Sequence, residues 1–312
     1  MSIKLFFTKK DFKFGPQIFR DRLRPALKKI DYIDVVANKN KNFDVELSFI
    51  KIKTHHSKPV VLRLDGCYYR PKHLSHNAPL ISSIRRAKKI IFQSSFSSEM
   101  IHKILRVKIN NKIVIHNGIN LDWVSSIKPN PIVEPGSFVA SANWKRRPNK
   151  RPLSILKGFV KAKTGRKLYM IGNYHKEWAK KYQQYGVIFM GSKTISQVIS
   201  IMKSCDYMLH LCHIDSCPNA VVEGLACGLK ILCTNLGGTK EIVKDDGIVM
   251  NVDRWNFKPF DFVAKNIDSL NPSIVADGIK ELMVIKGRTK RPDLDISITA
   301  NKYANVIKSC MS

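Results

Sequence analysis

The chain has 312 residues, enough for two domains that each bury a core, and its hydrophobic content of 44% is typical of a folded protein rather than a disordered one. Its apolar start, Met1–Phe7, is too short for a signal peptide, and no apolar run reaches the length of a membrane span. The seven Cys are scattered without a paired zinc-binding pattern, so we expect a cytoplasmic protein with free, buried thiols.

A large positive charge is the main anomaly of the composition. The 54 Lys and Arg exceed the 24 Asp and Glu, which leaves a net charge of +30 that would attract nucleotides, nucleic acids or anionic membrane surfaces. However, basic residues are spread over the whole chain, and Lys, Asn and Ile are all abundant, as AT-rich coding produces without selection for binding. We expect no specific nucleic-acid partner, whereas peripheral contact with an anionic membrane is a hypothesis from charge.

Strands and helices alternate along the first half of the chain. Apolar runs predict strands at Ile3–Phe7, Tyr32–Val36, Val45–Phe49, Pro59–Leu64, Lys89–Gln93 and Lys112–Ile115. This alternation is typical of a doubly wound parallel α/β sheet. The Pro-containing segment 122–136 is predicted to be a linker to a second domain of the same architecture.

One predicted strand of the first half, Pro59–Leu64, ends in Asp65 and Gly66. Ligands of parallel α/β sheets gather at the carboxyl ends of strands, which makes Asp65 a candidate functional residue. The alternative is an Asp that caps the following turn.

A basic loop begins the second half. It follows a predicted strand at Phe138–Ala142, spans residues 143–151, and precedes an apolar-periodic helix from Leu153. Guanidinium groups make bidentate contacts and an ammonium is a point charge, so the loop can neutralise a diphosphate without a metal. A solvated basic loop or a nucleic-acid patch is the alternative interpretation.

The most informative segment is residues 213–241. An apolar strand at Tyr207–Leu211 leads into the turn Asp215–Pro218 and then into a helix predicted at Asn219–Cys227, with Pro218 at the first helical position. Backbone N–H groups at a helix start favour an anion such as a diphosphate. The residues predicted to offer these N–H groups are Asn219, Ala220 and Val221.

Two acids and a glycine pair accompany this helix. Glu223 lies one turn inside it and can accept hydrogen bonds from ribose hydroxyls, while Asp215 in the turn can reach a sugar. Gly237 and Gly238, after a second apolar strand, allow backbone to approach a ligand closely. The alternative is that both acids only complement the helix dipole.

This segment resembles the nucleotide-sugar site of family 4 of the glycosyltransferases. The shared pattern is two acids eight positions apart (Asp215 and Glu223), then Ala226-Cys227-Gly228, then Gly237-Gly238. Two positions depart from it, because the first acid is usually Glu and because Lys230 stands where the family usually has Pro.

The resemblance implies a fold and an activity. The fold is α/β and of the GT-B type, with two Rossmann-like doubly wound domains facing each other across a cleft. Residues 1–125 would form an acceptor-side domain, residues 126–295 a nucleotide-sugar-binding domain, and residues 296–312 a helix crossing back to the first domain. The activity is transfer of a sugar from a nucleoside diphosphate donor to a hydroxyl of a glycan, lipid or protein acceptor, with retained configuration and no essential metal or other cofactor.

The resemblance also implies roles for particular residues. Glu223 would bind the ribose, and Asp215 would position the donor sugar. Lys150 and Arg146 would bind the diphosphate, although Arg147 competes with Arg146 because this loop varies in length.

Further roles follow from the loops that flank the cleft in the family. Asp65 occupies a position where many members carry His near the reacting carbon, which makes it a catalytic candidate. The loops containing Gly172, Gly191 and Ser192 would lie near the nucleotide, and Gly15 and Tyr68 would lie on the acceptor side.

No metal site is expected. His55 and His56 are adjacent, so their side chains point apart on extended chain, and Asp293 and Asp295 lie far from any nucleotide motif. Two other functions remain as alternatives, namely a basic nucleic-acid-binding protein and a non-catalytic relative with the GT-B fold.

Overall fold

The computed structural model describes residues 2–8, 15–36, 42–145, 147–260, 267 and 269–311. The chain divides into two compact units. The first comprises Met1–Asn120, Trp255–Asp261 and Asp293–Ser312, and the second comprises Leu121–Arg254 and Phe262–Pro292.

The first unit contains a parallel sheet of six strands. In chain order they are β1 (Ile3–Phe7), β2 (Ile33–Val36), β3 (Val45–Phe49), β4 (Val60–Leu64), β5 (Lys89–Phe92) and β6 (Lys112–Val114). Their order across the sheet is β2-β1-β3-β4-β5-β6. Each strand lies within one residue at either end of its predicted bounds.

The second unit repeats this architecture. Its strands are β7 (Phe138–Ser141), β8 (Leu168–Ile171), β9 (Val187–Gly191), β10 (Tyr207–His210), β11 (Lys230–Thr234) and β12 (Gly247–Met250). They form a parallel sheet in the order β12-β11-β10-β7-β8-β9. The prediction of two doubly wound α/β units is confirmed.

Helices connect the strands and cover the sheets. Those of the first unit are α1 (Gly15–Leu27), α2 (Ala78–Arg86), α3 (Ser95–Leu105) and the final helix α11 (Ile296–Lys308). Those of the second unit are α4 (Leu121–Ser126), α5 (Pro152–Ala162), α6 (Lys176–Tyr182), α7 (Ile195–Ser204), α8 (Asn219–Ala226), α9 (Thr239–Val243) and α10 (Pro272–Val284). In the described part of the chain, no helix is long and apolar enough to span a bilayer.

The first sheet is covered on both faces because successive side chains of a strand point to opposite sides. Val61 of β4 packs in a cluster that contains Phe19 of α1 and Tyr303 of α11. Leu62 and Leu64 pack in a separate cluster with residues of α2 and α3. The final helix is therefore part of the core of the first unit.

The second sheet packs one face against α5 and α10. Phe138, Ile155 and Ile279 share one buried cluster. A Cβ added to Gly158 of α5 would lie 2.2 Å from a methyl carbon of Val275, so the two helices approach as closely as Gly permits.

Residues 122–136 were predicted to be a linker, and the structure packs this segment onto the rest of the second unit. The Lys203 ammonium donates to the carbonyls of Val124 (3.1 Å) and Ile127 (2.5 Å) at the end of α4. The Asn130 N–H donates to Ser200 of α7 over 3.1 Å. These hydrogen bonds hold the segment against α7.

Candidate functional site

The start of α8 is one residue later than the sequence predicted. Pro218 has φ −68° and ψ 119°, so it precedes the helix as its N-cap instead of occupying the first helical position. Its carbonyl accepts the N–H of Val221 over 3.0 Å. Val221 is therefore not one of the open amides, which corrects the prediction, whereas the N–H of Ala220 has no acceptor in the described part of the chain.

Glu223 lies one turn inside α8 and is 5% exposed. At three to four residues from Asn219 and Ala220 it shares their face of the helix. The next residue, Gly224, holds α8 against the sheet, because a Cβ there would lie 2.7 Å from the sulfur of Met208 in β10. The position of the buried carboxylate is thus fixed by close helix–sheet packing.

Asp215 forms an ion pair with Lys150, and both side chains are mostly buried. Lys150 ends a short 3₁₀ turn, Pro148–Lys150, in the basic loop after β7. Burial raises the pKa of Asp215, but the charge of Lys150, together with His210, the Lys150 hydrogen bond and Arg147, outweighs burial and lowers that pKa below its ordinary value. Burial likewise lowers the pKa of Lys150, and Asp215 more than offsets this, so both groups are charged at neutral pH.

The Gly-Gly loop after β11 packs against Asp215 itself. Gly237 has φ 108°, and a Cβ there would lie 2.6 Å from the Asp215 carbonyl oxygen. Gly238 donates its N–H to the same oxygen over 2.8 Å. The sequence predicted that these glycines allow close approach of a ligand; in the structure, the missing side chain of Gly237 allows close approach of the Asp215 backbone.

Two buried side chains beside Asp215 were not predicted as site residues. His210 Nε2 lies 3.8 Å from Asp215 Oδ2. Cys212 is also buried, and the donor atoms of all three residues lie within 4.8 Å of one another. The sequence interpretation included His210 in a buried strand, although the spacing His-x-Cys-x-x-Asp is visible in the sequence.

The positive charge of Lys150 also affects the pKa values of His210 and Cys212. Burial, followed by the Lys150 charge, lowers the pKa of His210 to about 3, so the imidazole is neutral at physiological pH. Burial raises the pKa of the Cys212 thiol to about 11.

A second buried ion pair supports the same loops. Arg151 has φ 53° and is 3% exposed, and it donates to both carboxylate oxygens of Asp253 at 2.6 and 2.7 Å. His213 Nδ1 lies 3.0 Å from Asp253 Oδ1. Asp253 and Arg151 therefore connect the basic loop to the turn that carries Asp215.

Arg146 falls outside the described residues. Arg147 is exposed, and Trp144 fixes the beginning of the loop through its N–H to Asn173 (3.1 Å) and its indole N–H to Ile171 (2.9 Å). The choice between Arg146 and Arg147 as a diphosphate ligand stays open.

Gly172 and Gly191 lie at the ends of β8 and β9, and Gly172 has a structural role. Gly172 has φ 117°, and a Cβ there would lie 1.8 Å from the carbonyl oxygen of Ala142. Gly191 has φ 66° but open space around it. Ser192 donates its hydroxyl to Asn173 over 2.9 Å.

Asp65 follows β4 in the first unit, at the strand end where it was predicted. Its carboxylate pairs with Arg63, which is 1% exposed and also donates to Gln93 (3.0 Å) and Asn117 (2.8 Å). Burial raises the pKa of Asp65, and the Arg63 charge only partly opposes this. The carboxylate is therefore part of a polar network within its own unit.

Gly15 and Tyr68 were predicted to lie on the acceptor side, and the Asn77 side chain holds the Tyr68 backbone through two hydrogen bonds of 2.9 and 2.7 Å. Gly15 begins α1, and a Cβ there would meet nothing within 4 Å. Tyr68 is 52% exposed, with its ring against His73 and His76.

Other side chains that the sequence singled out have structural contacts. His56 Nε2 forms a hydrogen bond of 2.5 Å with the carboxylate of the buried Glu46. Asp295 caps α11 by accepting the Ser297 N–H over 2.8 Å. Lys230 begins β11 beside Tyr207 and lies 3.5 Å from Asp246, at the end of the strands opposite to Asp215. This departure from the family pattern therefore does not alter the site.

Comparison with known families finds one match that covers the candidate site. The sequence model of the family described as Glycosyl transferases group 1 matches residues 138–284, slightly less than half of the chain. This range contains Lys150, Asp215 and Glu223. A search of curated proteins finds no significant match.

Comparison with solved structures finds similar folds over the whole chain. HepE from Anabaena in complex with UDP has a TM-score of 0.66 at 14% identity, covering 98% of this chain and 100% of HepE. The complex of HepE with UDP-glucose has a TM-score of 0.61 at 14% identity, covering 99% and 100%. A glycosyltransferase from Rickettsia africae has a TM-score of 0.64 at 11% identity, covering 100% and 99%.

These similarities assign the fold. Two parallel six-stranded sheets with their helices form the two-domain α/β fold of the GT-B glycosyltransferases. The matched family is one of glycosyltransferases, and the match includes the candidate site. Identities of 11–14% carry no residue roles, so the roles must come from the site itself.

Proposed function

We propose that this protein transfers a sugar from a nucleoside diphosphate sugar to a hydroxyl group, with retention of the anomeric configuration. The observation that carries the proposal is the arrangement around α8. The Lys150–Asp215 pair precedes the helix, the Ala220 N–H is open at its start, and Glu223 is buried one turn inside.

Each part of this arrangement suits one part of the donor. The N–H groups at the start of α8 and the Lys150 ammonium are suited to the negative diphosphate. A buried carboxylate at Glu223 is suited to accept hydrogen bonds from the two ribose hydroxyls. Asp215 then lies where it can orient the sugar, and either Arg146 or Arg147 adds a second cation for the diphosphate.

We propose a uridine donor as the first candidate. HepE, which shares the fold, has been crystallised with UDP and with UDP-glucose. Gly191 ends β9 with open space where a Cβ would lie, and Ser192 follows it, so backbone groups at this strand end can contact a base.

The reaction is proposed to need no metal. Departure of the nucleoside diphosphate requires positive charge at its phosphates, and Lys150, an Arg and the dipole of α8 can supply it. Asp65 and Asp215 are proposed as the catalytic carboxylates, Asp65 by stabilising positive charge at the sugar carbon. The Asp65 carboxylate also pairs with Arg63.

The acceptor is proposed to be a hydroxyl of a glycan, a lipid-linked glycan or a protein. Gly15 and the exposed Tyr68 are assigned to the acceptor side. The net charge of +30 supports peripheral contact with an anionic membrane, where lipid-linked acceptors lie. Equal binding to anionic and neutral vesicles would contradict this membrane contact.

A transfer assay tests the proposal. The protein is incubated with UDP-glucose and a panel of hydroxyl acceptors, without added metal and with a chelator, and the anomeric configuration of the product is read by NMR. We expect release of UDP and a product with the same anomeric configuration as the donor sugar. If the protein consumes none of the UDP-, GDP- and ADP-linked sugars, the proposed activity is contradicted and a non-catalytic GT-B protein is favoured.

A further inference from the structure

The cluster formed by His210, Cys212 and Asp215 contains an imidazole and a thiol that the proposed sugar transfer does not use. Imidazole nitrogen, thiolate sulfur and carboxylate oxygen are the three ligand types that Zn²⁺ takes in proteins. The three donor atoms lie within 4.8 Å of one another, and His210 and Cys212 are buried. A tetrahedral zinc site places such atoms about 3.4–3.6 Å apart, as its bond lengths of roughly 2.0–2.3 Å require.

His210 supplies an independent observation. Its side chain is 5% exposed, and Nε2 has no hydrogen-bond partner within the described ranges of the chain. Buried polar atoms usually have a partner, because leaving one without costs about 1–3 kcal/mol. Nε2 points toward Asp215, at 3.8 Å from Oδ2, which is already close to the separation that a shared zinc ion imposes.

We propose that His210, Cys212 and Asp215 form an inhibitory Zn²⁺ site, in which the ion takes the Asp215 carboxylate away from Lys150. On binding, the Cys212 thiol releases its proton to solvent, the neutral His210 and the carboxylate coordinate directly, and water completes the tetrahedron. Lys150 keeps its proton and turns away from the cation. Inhibition rests on the proposed function, since it requires the Lys150–Asp215 pair to belong to the donor site.

The arrangement predicts opposite effects for two substitutions. Cys212→Ser removes a ligand, so it should weaken Zn²⁺ binding by more than the roughly 10–100-fold that loss of an outer-shell partner costs. Lys150→Met removes the ammonium that competes for Asp215 and should tighten Zn²⁺ binding. A damaged fold cannot produce this tightening, so the second variant guards against misfolding of the first.

The binding experiment uses the full chain without an affinity tag. Zn²⁺ is titrated by calorimetry against a chelator of known affinity, with Mg²⁺ as the control ion because it prefers oxygen ligands. Cys205→Ser is the matched control, since Cys205 is equally buried in the second unit and outside the cluster. Co²⁺ provides a spectroscopic reading, because a thiolate ligand adds a charge-transfer band that Cys212→Ser should lose.

One Zn²⁺ per chain, lost in Cys212→Ser, kept in Cys205→Ser and strengthened in Lys150→Met, is the expected result. Zn²⁺ affinity that is unchanged in Cys212→Ser, or weaker in Lys150→Met, would overturn the site. A parallel UDP titration separates the two proposals. If Zn²⁺ binds as expected and abolishes UDP binding in wild type but not in Cys212→Ser, inhibition is supported. If Zn²⁺ binds as expected but neither UDP nor a GDP- or ADP-linked sugar does, the metal site stands, while the donor site and the inhibition that depends on it are refuted. If Zn²⁺ and the nucleotide bind independently of each other, inhibition alone is refuted.

Discussion

Gly238 donates its backbone N–H to the carbonyl oxygen of Asp215 over 2.8 Å. This hydrogen bond joins the loop after β11 to the turn after β10, so the ends of two neighbouring strands hold the Asp215 backbone in place. The glycine pair of the motif is therefore a support for the acid of the motif.

Gly237→Ala should disrupt this support. The backbone there has φ 108°, and the new Cβ would lie 2.6 Å from the Asp215 carbonyl oxygen, an atom that cannot move without moving the turn. We expect a loss of at least about 2 kcal/mol, which lowers Tm by roughly 4–8 °C in a unit of this size. Differential scanning calorimetry measures it.

Gly165→Ala is the control for backbone strain alone. Gly165 also has a positive φ, 68°, but a Cβ there meets nothing within 4 Å. If Tm falls by the same amount in both variants, the contact with Asp215 contributes nothing to the destabilisation of Gly237→Ala.

The Lys150–Asp215 pair should show strong coupling in unfolding experiments. Both side chains are mostly buried, so removing one charge leaves the other poorly solvated. We expect Lys150→Met and Asp215→Asn to cost about 3 kcal/mol each, and the double variant to cost clearly less than their sum. Urea unfolding of the four proteins measures the coupling.

An exposed pair calibrates this cycle. Glu99 and Lys103 lie one turn apart on α3 with half of each side chain exposed, and their coupling should be about 0.5 kcal/mol or less. Additive effects at Lys150 and Asp215 would contradict the buried pair.

Asp253 should make stability depend on acid pH. Burial raises its pKa, but the hydrogen bonds and the charges of Arg151 and His213 together outweigh burial and hold the pKa at about 2, against about 3.9 in an unfolded chain. Because the folded pKa is depressed, this stabilisation is complete above about pH 4 and is lost as the pH falls through about 2.

The contribution amounts to about 2–3 kcal/mol. We expect the difference in unfolding free energy between wild type and Asp253→Asn to shrink by that amount between pH 5 and pH 2. The exposed Asp277, replaced by Asn, serves as the control and should show no comparable change. A difference that stays constant with pH would refute the assigned ion pair.

Asp65→Asn separates a catalytic role from a structural one. If the carboxylate stabilises charge at the reacting carbon, kcat should fall about 100-fold or more while the affinity for the nucleotide is unchanged. If it only balances Arg63, Tm should fall and kcat per folded molecule should be retained. Steady-state kinetics together with thermal melts distinguish the two.

The strands and the motif around α8 could be predicted because their information is local. Apolar runs such as Val45–Phe49 fix a strand without reference to distant residues. The helix start was less certain, since Pro is compatible with either the N-cap or the first helical position. Only the observed ψ of 119° at Pro218 decides between them, and it removes Val221 from the open amides.

The contacts that hold the site could not be predicted because they join distant parts of the chain. Arg151 and Asp253 are 102 residues apart in sequence, and nothing local in either segment indicates the pair. Gly237 is explained by its approach to Asp215, which depends on how two loops pack. His210 was hidden for another reason, because its position in an apolar run is typical of an ordinary buried strand.

The central claim is that Glu223 and its surroundings bind the nucleotide of a sugar donor. The most direct measurement is a calorimetric titration with UDP-, GDP- and ADP-linked sugars at moderate salt, comparing wild type with Glu223→Ala. The exposed Glu281, replaced by Ala, is the matched control in the same unit. We predict that wild type and Glu281→Ala bind one of these donors, and that Glu223→Ala binds it at least about 10-fold more weakly because hydrogen bonds to a charged group are lost. Equal affinity in Glu223→Ala, or no binding of any donor by wild type, would contradict the account.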